Sequence, residues 1–142
     1  MADLKEKTEC FFHLHWPNNA GDPPKWNDSY KFIGALPYGD RCGCYALFQG
    51  DQLQYIGSGV SRGAGIYLHH GLGKRIGAHV LMHDKTVRGT VAERRYKFRP
   101  RWSECSRICT LGFPHKYGYL ALALEWFLVN ELHPPGNVKG RV

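Results

Sequence analysis

The segment CGCYALFQGDQLQYIG, residues 42–57, decides the fold because it joins two strand-like runs through a turn. Residues 42–49 are mostly apolar or aromatic, and the Gly-Asp dipeptide that follows provides turn residues. In the return run, Leu53 and Tyr55 recur at every second position, as on one face of a strand. The pattern predicts a β-hairpin in which Tyr45 lies opposite residue 55 or 56. By periodicity alone, two tyrosines on adjacent strands are ordinary packing residues.

Apolar spacing downstream of the hairpin predicts a helix and further strands. Apolar residues recur every fourth position over residues 72–83, which predicts a helix. On this helix Arg75 and His79, also four positions apart, share another face. Basic and aromatic residues alternate from Glu93 to Arg99, which predicts a strand with a basic face, and Arg107 to Leu111 is its expected partner.

The last predicted element is a helix over residues 117–132, which is apolar around most of its circumference and ends before Pro134. Glu125 stands in the middle of this helix, with no cation within four positions on either side. Burying an unpaired carboxylate costs several kcal/mol, so a partner is expected from elsewhere in the fold. That partner is a magnesium ion or an arginine, unless Glu125 faces solvent on a wet stripe of the helix.

The elements together predict an α+β fold with a small central antiparallel or mixed sheet of about three strands flanked by helices. Residues 1–41 are rich in Pro, Asn, Gly and Asp, which predicts an N-terminal extension that wraps the core irregularly, with one short strand from Phe11 to His15. Residues 42–142 form the predicted main domain.

Composition narrows the class of protein. A chain of 142 residues fits one domain, and neither a leader pattern nor a membrane-length apolar run is visible, so we expect a soluble intracellular, cytoplasmic protein. A net charge of +7 favours polyanionic partners, although it also fits a merely well-solvated surface. The five cysteines are an odd number and suit a reducing compartment, and no doubled CxxC pattern indicates a zinc ribbon.

Several short motifs, in order, resemble one enzyme family. Gly43-Cys44-Tyr45, followed after nine residues by Tyr55-Ile56-Gly57, is similar to the paired hairpin motifs of the GIY-YIG nuclease superfamily, with cysteine in place of the usual isoleucine. The segment Gly71 to Arg75 with His79 resembles the family's first helix. Glu125 followed by Pro134 and Asn137 resembles its closing signature. The resemblance covers about 100 residues, from Cys42 to Asn137. The literal sequence GIY occurs at positions 65–67, but it follows the YIG motif, so we do not take it as the first motif of the pair.

The resemblance implies a metal-dependent endonuclease that hydrolyses phosphodiester bonds in DNA. Glu125 would hold a single divalent ion, Mg²⁺ or Mn²⁺. Tyr45 would act as the general base or orient the attacking water, and Tyr55 would share its hydrogen-bond cluster. Arg75 would grip phosphate oxygens with its planar, permanently charged fork. His79 would hydrogen-bond a tyrosine and relay its proton.

Three further residues are expected to support these five: Gly57, Lys74 and Asn137. Asn137 would hydrogen-bond loop backbone and fix the shape of the site. Positive charge from Arg75, Lys74 and the metal is expected to favour the phenolate form of Tyr45, whose unperturbed pKa is about 10.

Substrate contacts are predicted from a basic, aromatic strip after the first helix, which could follow a phosphate backbone or could be an exposed strand with solubilising charges. Its basic members are Arg88, Arg94, Arg95, Lys97, Arg99 and Arg101. Aromatic residues of the extension, Trp16, Trp26 and Tyr30, would either read bases or cover the core.

Two rival classes stay open. One is a non-cleaving or single-strand-specific nucleic-acid-binding or repair module of the same fold, and the other is a small structural zinc protein. Within the nuclease class, an arginine followed four positions later by a histidine is similar to the restriction branch, while repair and mobile-element roles are also compatible. A small nuclease that cuts both strands is expected to act as a homodimer, with one site per strand.

Overall fold

A computed structural model describes residues 1–60 and 71–138 of the chain. The helices are α1 (Ala2–His15), α2 (Leu72–His79), α3 (Leu120–Leu132) and the short α4 (Pro135–Val138). The strands are β1 (Gly43–Gln49), β2 (Gln52–Gly59), β3 (Leu81–His83), β4 (Tyr96–Phe98) and β5 (Arg107–Gly112). Among the described residues, 3₁₀ turns lie at Val91–Glu93, Pro100–Trp102 and His115–Tyr117. Within the described ranges, no helix has the length and apolar character needed to cross a membrane. The second GIY, residues 65–67, lies outside these ranges.

The centre of the fold is a three-stranded antiparallel sheet in the order β2-β1-β5. The hairpin predicted from residues 42–57 forms β1 and β2, so β1 is the middle strand and is buried along nearly its whole length. Helices cover both faces of the sheet, since α3 and α1 pack on one side and α2 on the other. The predicted α+β class, with about three strands flanked by helices, is confirmed.

Alternate residues of β1 enter two separate cores. Cys44, Ala46 and Phe48 point towards α1 and α3 and belong to the larger apolar cluster. Tyr45 and Leu47 point the other way and pack against α2 with the small β3-β4 sheet. A side chain on β1 or β2 therefore reaches one of two chemically distinct compartments, according to its position parity.

A β-bulge in the hairpin changes which residues share a face. Leu47 pairs with Tyr55 and Phe48 with Leu53, so Gln54 is an extra residue on β2. The bulge places Gly57, not residue 55 or 56, opposite Tyr45. The predicted pairing is therefore wrong by one or two positions. Without the bulge, residue 56 would oppose Tyr45 and Tyr55 would point to the other face; with it, both tyrosines share the α2 face.

The N-terminal segment departs most from prediction, because the expected strand from Phe11 to His15 is the last part of helix α1. Leu4, Thr8, Phe11 and Phe12 have helical spacing and are buried. The ring of Phe11 contacts Phe127 of α3, and three of these four residues join the larger core. The extension therefore supplies core packing as well as a covering loop.

The strand partners after α2 also differ from prediction. Helix α2 ends at His79, and the remainder of the predicted helix forms β3, which pairs with β4. Arg99 stabilises this arrangement, because its Nε and Nη2 donate hydrogen bonds to the backbone carbonyls of Leu81 (3.1 Å) and Gly77 (2.5 Å). β5 pairs with β1 instead of β4. Its residues are buried on both sides, as expected for a strand inside a covered sheet.

Helix α3, the last long helix among the described residues, is buried along one side only. Its buried residues include Leu124 and Leu128, whereas Leu122 and Trp126 are exposed. The helix stops at Leu132, and His133 adopts a left-handed conformation with φ 47° before the prolines. The predicted C-terminal end is thus confirmed, while the predicted start at residue 117 is a 3₁₀ turn that precedes the helix.

Candidate active site

One cavity of about 550 Å³ is lined by every residue predicted to be catalytic. It lies between α2, the edge strand β2 and α3. Ser58 and Lys74 also line it. The five predicted residues that meet there are Tyr45, Tyr55, Arg75, His79 and Glu125.

The cavity wraps around the open edge of the central sheet. Tyr45 and Tyr55 reach it from the face that carries α2. Glu125 reaches it from α3, which packs on the opposite face. Because β2 is an edge strand in the described part of the chain, no further described strand separates the two faces there. The topology thus explains how groups far apart in the sequence meet in one place.

Gly57 allows the Tyr45 ring to lie flat against β2. A Cβ atom at position 57 would overlap the Tyr45 Cζ and hydroxyl oxygen and would come within 2.7 Å of Cε1. The Tyr45 side chain is buried, and its ring centroid lies 5.9 Å from that of Tyr55. Tyr55 in turn packs against Trp102, with centroids 4.8 Å apart. The glycine of the YIG motif is therefore a steric requirement of the tyrosine pair.

We expect Gly57→Ala to displace the Tyr45 ring. Overpacking of this kind typically costs 1–3 kcal/mol, so urea unfolding should show a loss of about that size, and any activity that depends on Tyr45 should fall about tenfold or more. The matched control is Gly77→Ala on α2, where an added Cβ meets nothing within 4 Å. Alanine there should be neutral or stabilising by up to about 1 kcal/mol. Equal stability and activity of the two variants would contradict the steric role of Gly57.

Tyr45 is held as a neutral phenol. Burial raises the pKa of Tyr45 far above its ordinary value, and the neighbouring Tyr55 raises it further. Arg75 interacts with Tyr45 and lowers this pKa, but by less than burial raises it. Arg75 therefore favours the phenolate form of Tyr45, as expected, but desolvation by burial outweighs it and keeps the pKa raised.

Glu125 is oriented by a hydrogen bond that sequence analysis missed. The Ser58 hydroxyl donates to Glu125 Oε2 at 2.5 Å, and both side chains are half-buried. Ser58 follows directly after the YIG motif, but a serine after a hairpin strand carries no distinctive signal. Within residues 1–60 and 71–138, the one ion pair joins Arg107 to Asp51 at 3.9 Å, so no described cation neutralises Glu125.

The α2 residues present cationic groups to the cavity. Arg75, Lys74 and His79 are exposed on the helix surface, while Leu72 and Ile76 on its other side are buried. Arg75 interacts with Tyr45, and among the described residues it has no acidic partner. The predicted division of α2 into an apolar face and a cationic face is confirmed.

Asn137 fixes the outer edge of β2. Its Nδ2 donates to the Ile56 carbonyl, and its Oδ1 accepts from the Ile56 N–H, both at 2.8 Å. The side-chain amide thus provides hydrogen-bond partners for the backbone N–H and carbonyl of Ile56 at the edge of the sheet. Asn137 was expected to bond loop backbone; it bonds a strand, next to Tyr55 and Gly57.

The six basic residues predicted to contact substrate differ in their contacts. Arg99 uses its guanidinium on backbone carbonyls and is structural. The Arg101 guanidinium lies 4.8 Å from the Trp102 ring, which links it through Tyr55 to the cavity wall. The remaining four are Arg88, Arg94, Arg95 and Lys97. All six belong to the described chain, and none of them lines the cavity.

The aromatic residues of the extension mainly cover the cores. Trp16 and Trp26 pack against the larger core and form part of a groove of about 700 Å³ beside α1. Their indole N–H groups are already used, since Trp16 donates to the Gly21 carbonyl (2.9 Å) and Trp26 to Thr8 Oγ1 (2.8 Å). Tyr30 packs against the smaller core and donates to the Gly34 carbonyl. Of the two interpretations, core covering describes their contacts.

In the described part of the chain, no group of three or more His, Cys, Asp and Glu side chains is placed to hold a metal ion. Comparison of the chain with protein-family models, with curated proteins and with solved structures gave no match.

Proposed function

We propose that the protein is a metal-dependent DNA endonuclease of the GIY-YIG type. The observation that supports this proposal is the single cavity shared by two tyrosines, an arginine, a histidine and a lone glutamate from four separate elements. Phosphodiester hydrolysis needs an oriented water, positive charge on the phosphate oxygens and a site for a divalent ion. The cavity contains a group suited to each of these tasks.

The donor set suits Mg²⁺ or Mn²⁺ better than zinc. Mg²⁺ is commonly bound through one or two carboxylates together with water and substrate phosphate, and Glu125 provides one carboxylate. The Ser58 hydrogen bond occupies one oxygen of that carboxylate and leaves the other for an ion. Glu125 would therefore hold the ion, which when bound would neutralise charge on the phosphate and lower the pKa of a coordinated water.

The residues of α2 would bind the scissile phosphate. Arg75 offers a planar fork that matches two phosphate oxygens, and Lys74 adds a second positive charge at the same rim. Because Arg75 also interacts with Tyr45, a phosphate held by Arg75 would lie next to the phenol. The distribution of charge, cationic on α2 and anionic on α3, would orient the phosphate within the cavity.

Tyr45 would orient the attacking water as a neutral phenol. Its raised pKa makes Tyr45 a poor proton acceptor at neutral pH, whereas His79 in the same cavity provides an imidazole nitrogen that can accept a proton. In the proposed step, the water oxygen attacks phosphorus and His79 takes the proton that the water loses. The bond from phosphorus to the 3′ oxygen breaks, and the 3′ oxygen leaves with the electron pair and takes a proton from solvent to form the 3′ hydroxyl. Tyr55 packs beside Tyr45 and would complete the hydrogen-bond cluster.

A supercoiled plasmid tests the proposal. Incubation with Mg²⁺ or Mn²⁺ should convert it to nicked or linear DNA, and a chelator should stop the reaction. Linear product without accumulation of nicked circle would support paired sites in a homodimer. A protein that binds the plasmid but leaves it intact with either ion would contradict the nuclease proposal and favour the non-cleaving binding module.

A further inference from the structure

Three exposed apolar side chains form a stripe on α3 beside the cavity. Tyr119, Leu122 and Trp126 are spaced by three and four residues, so they lie on one side of the helix. Their side chains are 63%, 47% and 68% exposed. We call these three residues the α3 ridge. Contiguous exposed apolar residues of this size indicate an interaction surface, because packing among the described residues does not explain them.

The α3 ridge is continuous with the candidate active site. Leu122 belongs to both, since it lines the cavity together with Glu125. Around the helix axis, Leu122 lies between Glu125 and Trp126. A strand whose phosphate sits between Arg75 and Glu125 would then have an adjoining nucleoside within reach of Leu122 and Trp126.

Charge and area favour nucleic acid over a second copy of the chain as the occupant. The chain carries a net charge of +7, and a symmetric dimer through the ridge would bring two sets of Lys74 and Arg75 towards each other. Three side chains alone cover less than the roughly 800 Å² that each partner buries in a standard stable interface. A flat indole next to a cationic cavity instead matches a base attached to a phosphate.

We propose that the α3 ridge receives the face of an unstacked nucleobase next to the phosphate held in the cavity. The substrate is then DNA with an unpaired nucleotide at or beside the cut, because bases inside a regular duplex cover each other's faces. This inference rests on the proposed nuclease function and specifies the class of DNA on which it acts.

Fluorescence anisotropy in the presence of a chelator tests this inference without cleavage. The probes are a labelled duplex with one unpaired nucleotide and the same duplex fully paired. The wild-type chain should bind the unpaired probe about tenfold or more tightly than the paired probe. Trp126→Ala should abolish this preference and leave binding of the paired probe unchanged, while Trp126→Phe should retain most of it. Thermal unfolding checks that each variant is folded.

Leu14 provides the matched control, because it is also 68% exposed on a helix but lies on α1 and does not line the cavity. Leu14→Ala should bind both probes like the wild type, whereas Leu122→Ala should lose part of the preference. Equal binding of the unpaired probe by wild type and Trp126→Ala would overturn the inference. So would a Trp126→Ala chain that loses self-association, measured by sedimentation, while its probe affinities are unchanged.

The two proposals fail in different ways. A wild-type chain that cuts plasmid with Mg²⁺ but shows no Trp126-dependent preference retains the nuclease function and loses the role of the α3 ridge. A wild-type chain that shows the preference but cuts nothing with Mg²⁺ or Mn²⁺ loses the nuclease function and is a binding module for unpaired DNA.

Discussion

Replacing Glu125 with alanine is expected to abolish DNA cleavage while leaving the fold intact. Glu125 is the one carboxylate among the described residues that line the cavity, and a metal-dependent step without its ligand should slow by about a thousandfold or more. The side chain is only half-buried and has no described ion-pair partner, so its removal should change the free energy of unfolding little. Plasmid cleavage with Mg²⁺, together with urea unfolding and binding to DNA, measures the three quantities separately.

Two further variants show whether the effect of Glu125→Ala is specific to this carboxylate. Glu131→Ala removes an exposed carboxylate from the same helix, away from the cavity, and should cleave like the wild type. Ser58→Ala removes the hydrogen bond to Glu125 but keeps the carboxylate, so it should weaken the response to Mg²⁺ and lower the rate less severely. Normal turnover by Glu125→Ala would refute the one-metal mechanism.

Arg75→Ala should lower kcat/KM by about a hundredfold to a thousandfold. The substitution removes the fork expected to hold the phosphate and also the charge that lowers the pKa of Tyr45. Because Arg75 is exposed and alanine is a good helix former, α2 should remain folded. Steady-state cleavage of a short labelled DNA, with circular dichroism as a check on folding, measures the effect.

Two further variants distinguish the planar shape of the Arg75 guanidinium from its positive charge. Arg75→Lys keeps the positive charge without the planar fork, and we expect it to recover only a minor part of the activity. Lys31→Ala removes one positive charge from an exposed loop that does not line the cavity, and it should change cleavage by less than about twofold. An effect of Lys31→Ala as large as that of Arg75→Ala would indicate a general loss of attraction to DNA and would contradict the specific role of Arg75.

The parts of the fold that sequence predicted well depend on local patterns. The hairpin follows from alternation and a Gly-Asp turn, and the apolar face of α2 follows from spacing four residues apart. The candidate site could be assembled from sequence because its motifs are short and each lies on one such element. Glu125 attracted attention as a lone acid in an apolar helix, and the structure places it in the cavity.

The parts that were missed depend on distant contacts. β5 pairs with β1 across about 60 residues, and no local pattern distinguishes this partner from β4. Helix α1 was not predicted, because the proline-rich segment that follows it indicates irregular structure. The spacing of Leu4, Thr8 and Phe11 is nevertheless helical. The protonation of Tyr45 could not be inferred either, because the balance between burial and Arg75 requires the packed environment.

The extra residue on β2, Gln54, determines which face of the sheet Tyr55 occupies. If the same residues paired without the bulge, the chain would keep the same turn and the same motifs, yet Tyr55 would point into the apolar compartment under α1 and α3. Tyr45 and Tyr55 therefore share one face of the sheet for only one parity of the paired residues between them. The two sequence motifs do not reveal whether a bulge changes that parity.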